Sequence, residues 1–162
     1  MYFWKINDLK EELIKNGLSQ KSMFIYILLY MLLAQFFVEV SYIFPSEEAA
    51  TTTDYIQMIF DLAAVGIGTY LCFYANGSGN GQQFSERYFS IGFVVGLRFI
   101  ALLFPIVIVF GIVVGILSET SGMDLDGPAF NYGMLAIFSA WLVAMYWRII
   151  THINEVAKAE NA

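Results

Sequence analysis

Charge is what this chain is short of. Only 14% of its 162 residues are Asp, Glu, Lys or Arg, against about 25% in an ordinary soluble domain. It has one cysteine, Cys72, and one histidine, His152. A lone cysteine excludes an internal disulfide and a multi-cysteine metal site. A lone histidine excludes His-pair zinc sites and argues against a Ser-His nucleophile. No catalytic, cofactor-binding or metal-ligating constellation is therefore expected, and the chain reads as no enzyme. Positive charge is not in excess either. The formal net charge is -6, which argues against nucleic acid, whose phosphates want a basic patch.

What the chain does have is apolar surface. Hydrophobic residues make up 59% and aromatics 17%, and mean hydropathy is +0.65. Disorder needs the opposite composition. A soluble domain of this size has too little interior to hide so much. The class is an all-α integral membrane protein. Four apolar runs occupy 22–44, 55–76, 88–117 and 132–150. Each approaches or exceeds the roughly 20 residues that cross about 30 Å of hydrocarbon. Backbone groups in lipid must be satisfied within the segment, so the runs should be helices. The alternating strands of a membrane barrel do not occur. The expected fold is a single transmembrane domain over 1–162, a four-helix bundle with short connections and antiparallel neighbours. The third run would be about 45 Å long, and Pro105 near its middle predicts a kink. The first run lacks a small-residue cleavage site and should be an uncleaved anchor.

Segment 1–21 forms a further unit. Ile6, Leu9 and Leu13 share one helical face, with Lys5, Asp8, Glu11, Glu12 and Lys15 on the rest. This predicts a short amphipathic interfacial helix on the cytoplasmic leaflet, ended by Gly17. The tail, 151–162, should be cytoplasmic.

Orientation follows from Lys and Arg. Lys5, Lys10, Lys15 and Lys21 precede the first span, Arg87 lies in the second loop, and Arg148 and Lys158 lie at the C-terminal end. The first and third loops carry Glu47, Glu48, Asp54, Glu119, Asp124 and Asp126, with no Lys or Arg. The positive-inside rule places both termini in the cytoplasm, and a bacterial inner membrane suits the pattern.

Ionisable residues inside spans are costly and usually face a partner. Gln35, Glu39 and Tyr42 form one polar stripe, and Asp54, Gln57 and Asp61 another. Arg98 lies about 15 Å along the third span. These residues predict one intramembrane polar cluster, with Arg98 held by Glu39 or Asp61. It would serve either as a register-fixing ion network or as an ion, proton or ligand site. Gly92 and Gly96, and again Gly111 and Gly115, sit four apart, the spacing that lets helix backbones approach closely. Gly66 and Gly68 could meet them from the second span. The glycine-rich loop around 76–83 reads as a flexible turn, since a phosphate loop needs a preceding strand and usually a Lys. Trp141, Tyr146 and Trp147 read as interfacial or lipid-facing aromatics. Cys72 reads as inert core.

Two functions compete. One is a small inner-membrane accessory, assembly or immunity-type protein, acting through helix contacts with a membrane-protein partner or with its own copies. The plan resembles that of some colicin immunity proteins in topology, without a shared motif. The alternative is an oligomeric channel or ion-coupled transporter built around the Glu/Asp/Arg cluster. Four helices are few for a monomeric carrier, and no inverted repeat is visible.

Overall fold

The computed structural model describes residues 2–43, 50–122 and 127–160. Every regular element among them is helical: α1 (Ile6–Lys15), α2 (Gln20–Ile43), α3 (Thr52–Ala75), a single 3-10 turn (Ser78–Asn80), α4 (Phe84–Ser121) and α5 (Pro128–Glu160). Helices α2 to α5 are each long and apolar enough to cross a membrane. Glu47, Glu48, Asp124 and Asp126 lie outside the described residues, as does the side chain of Tyr42.

Local chemistry sets the ends. The Thr51 N–H donates to the Asp54 carboxylate at 2.7 Å, capping α3 and satisfying a backbone donor at the helix start. Helix α1 closes at Gly17, whose φ of +67° suits a residue without a Cβ. Helix α4 continues through Pro105 over 38 residues, about 57 Å at helical rise.

The packed pairs differ from the expected neighbours. Helix α3 lies against α5, and α4 lies against both α5 and α2, while α2 and α3 share no extensive contact. Helices α4 and α5 are antiparallel: Arg87 near the start of α4 meets Glu160 at the end of α5, and Phe99 meets Trp141. Helices α3 and α5 run the same way, since Gly68 faces Tyr146 and Ala75 shares a groove with Ala157. Lipid is as apolar as a leucine-rich helix, so composition gives no preference between greasy faces, and shape decides which of them meet.

Helix α1 is also placed differently. Its apolar face, Ile6, Leu9 and Leu13, is 0–5% exposed, and the helix packs on α5 and α4. It therefore spends its apolar face on protein and not on a leaflet. Burying a leucine contributes about 1.5–3 kcal/mol, and here protein supplies the cover. The core gathers at this α1 end, around Tyr26, Ile91, Val94, Ile153 and Val156. From Gly96 to Thr120 no residue of α4 is buried.

Candidate functional site

The two acidic stripes stay on their own helices. Gln35 donates to Glu39 at 2.7 Å on α2, and Gln57 donates to Asp61 at 2.7 Å on α3. Arg98 joins neither. Its guanidinium donates to the Trp4 carbonyl and stands 5.7 Å from the Trp4 ring centroid, within cation–π range. The expected Glu39–Asp61–Arg98 cluster is thus replaced by a contact with the N-terminal segment. The cause is the docking of α1, which brings residues 2–4 alongside α2 and α4. The Tyr2 N–H donates to the Tyr26 hydroxyl at 2.8 Å, which in turn donates to the Tyr2 carbonyl at 2.9 Å. Phe3 packs edge-on to Phe93. A backbone carbonyl reaches Arg98, where no carboxylate of the described residues does.

The buried polar residues lie elsewhere, at the α1 end. Arg87 is fully buried; it donates to the Asn76 side-chain oxygen at 2.9 Å and to the Glu160 carboxylate at 2.5 Å. Its Nε is buried without a hydrogen-bond partner. Asn76, 2% exposed, also donates to the Gln82 carbonyl at 3.0 Å. The glycine-rich connection, read as a flexible turn, is therefore tied across its base. Gly77 takes a φ of +96°, open to a glycine. Glu86 accepts from the Leu18 N–H and so fastens the α1–α2 turn to the start of α4. On the surface Lys10 pairs with Glu155 at 2.7 Å, and Lys15 beside Glu11 holds that carboxyl below the usual range.

A further polar contact joins α3 to α4: Thr69 and Tyr88 share a half-buried hydrogen bond of 2.9 Å. Around it, the Tyr30 ring of α2 stands edge-on to Phe89 of α4, 5.5 Å between centroids, and the Tyr146 ring of α5 faces Gly68 of α3. Sliding α3 along α4 breaks the Thr69–Tyr88 bond, worth about 1 kcal/mol. Tyr146, read above as interfacial or lipid-facing, is 7% exposed, whereas Trp147 is 68% exposed.

The glycines divide. A Cβ on Gly68 would stand 2.3 Å from the Tyr146 ring, so the close approach that this residue permits is to α5 and not to the third span. A Cβ on Gly92 would meet Tyr30 at 3.6 Å, while one on Gly66, Gly96, Gly111 or Gly115 would find nothing within 4 Å. Sequence reasoning missed Asn76, Glu86 and Arg87 as buried residues, and Glu160 as the partner of Arg87. The available signal was Arg87 at the end of a polar loop, which counted only toward orientation.

No family model matches this chain, and neither a curated protein nor a solved structure matches it.

Proposed function

We propose that the chain is a multi-pass protein of a bacterial inner membrane, with both termini cytoplasmic, acting as a non-enzymatic accessory, assembly or immunity-type protein through helix contacts in the membrane plane. The observation that carries this is the uneven packing of α4. The start of that helix, up to Val95, is seated in the core, while Leu102, Phe104, Val109, Ile112 and Ile116 beyond it are 55–74% exposed. Gly111 and Gly115 there have open space beside them. Such a surface can meet lipid, a second copy or another membrane protein, and small residues favour close helix approach. The gathering of Lys5, Lys10, Lys15, Arg87 and Lys158 around the α1 end supports the cytoplasmic assignment under the positive-inside rule.

Reporter fusions at residues 50 and 125 should report the outer side, and those at 80 and 160 the inner side. An outer-side signal at 80 refutes the orientation. In nanodiscs, a monomer or a closed dimer without ion conductance agrees with the accessory reading. A symmetric ring that conducts, with Glu39 and Asp61 lining its lumen, replaces it with transport.

A further inference from the structure

Between α3 and α5 runs a groove that passes beside the Tyr146 ring. Its first section, about 440 Å³, is walled by Phe60, Ala64 and Leu71 of α3 and by Val143, Trp147 and Ile150 of α5. Its second section, about 560 Å³, shares Leu71 and Ile150 and opens among Tyr74, Gly77, Asn154 and Lys158. Both volumes fall in the range of small-molecule sites, about 300–1,000 Å³. We infer that this groove binds one anionic phospholipid of the leaflet at the α1 end, its acyl chain in the apolar section and its phosphate at Lys158.

Length, polarity and charge carry the inference together. From Phe60 to Leu71 the apolar section extends about 16 Å at helical rise. One leaflet of a hydrocarbon core about 30 Å thick is about 15 Å deep. Helix α3 continues beyond the groove to Thr52, so the apolar section fits half a bilayer. A helix from a second copy would need to lie along both leaflets. Polarity changes only at the α1 end, where Asn154 offers an amide and Lys158 an ammonium. The neighbouring acids are engaged: Glu155 by Lys10 and Glu160 by Arg87. Lys158 makes no ion pair with any described residue, which leaves its charge for a phosphate. Tyr74, 68% exposed, stands on the wall of the second section, an amphipathic aromatic of the kind that favours the interfacial region.

The inference rests on the membrane reading, and the experiment separates the two. The full chain is reconstituted in nanodiscs of equimolar phosphatidylglycerol and phosphatidylcholine, released, and examined by native mass spectrometry. One phosphatidylglycerol should be retained in preference. Lys158→Ala should lower the ratio of retained phosphatidylglycerol to phosphatidylcholine about fivefold, the worth of one Lys near an anionic surface. Lys21→Ala, away from the groove, should leave the ratio unchanged. Ala63→Trp, on the exposed wall, should expel both lipids; if that variant does not fold, Lys158→Ala alone decides. Equal retention of the two lipids, an equal effect of Lys21→Ala, or a lipid-free dimer overturns the proposal. Inverted reporter fusions with anionic lipid still retained would refute the orientation and not the site.

Discussion

Cutting the Arg87–Glu160 pair should cost more from the acidic side than removing both partners together. The Glu160 side chain is 31% exposed and that of Arg87 0%. Among the described residues, Glu160→Ala leaves a sealed guanidinium with Asn76 as its one hydrogen-bond partner and its Nε already unpaired. Breaking a buried pair by removing one partner costs about 3–5 kcal/mol, and the surviving Asn76 bond brings the expectation to about 3 kcal/mol. Arg87→Met fills much of the same volume without the charge. It leaves the Asn76 oxygen unsatisfied, at about 1–2 kcal/mol, while Glu160 turns to water. The double variant carries only that second penalty. It should therefore be more stable than Glu160→Ala alone, with a coupling of at least about 1 kcal/mol. Reversible unfolding in mixed micelles with rising SDS measures all three. Additive costs, or a double variant less stable than Glu160→Ala, would refute the sealed-charge argument.

Gly68→Ala should destabilise by about 1–3 kcal/mol, the usual cost of overpacking, because its methyl meets the Tyr146 ring; unchanged unfolding would mean that α3 and α5 yield freely. Leu9→Ala should cost about 3 kcal/mol, as for a buried leucine, and expose α1 to protease, whereas a helix resting on a leaflet would lose little of the bundle's stability. Gly111→Leu should shift monomer unfolding by less than about 0.5 kcal/mol while weakening self-association measured by energy transfer between labelled copies; a large loss of monomer stability would place Gly111 inside the fold.

The long helices were legible because apolar runs near the span length have few other solutions in water or lipid. The amphipathic period of α1 was legible too, but a period names a greasy face and not what covers it. Arg98 shows where reading by type fails. Carboxylates are the partners a sequence marks for an arginine, and the partner here is a peptide carbonyl, a group every residue carries. Tyr146 fails differently. It lies near a span end, where tyrosines commonly sit at an interface, and only the pairing of α5 with α3 turns its ring inward against Gly68. Glu39 and Asp61 both lie inside spans, yet α2 and α3 share no extensive contact, so a place within a span conveys nothing about contact.

The seat of α1 has a consequence for how the molecule is made. Helix α1 leaves the ribosome well before α5, on which much of its cover and the Lys10–Glu155 pair depend. Until α5 is made, Leu9 and Leu13 have only partial cover, from α4, and a transient rest on a membrane surface would suit their amphipathic pattern. Docking α1 onto α5 then joins residues as far apart in sequence as Lys10 and Glu155, a contact of the slow, non-local kind. A bulky tag fused at Tyr2, or a stop placed before His152, should stall the same docking step.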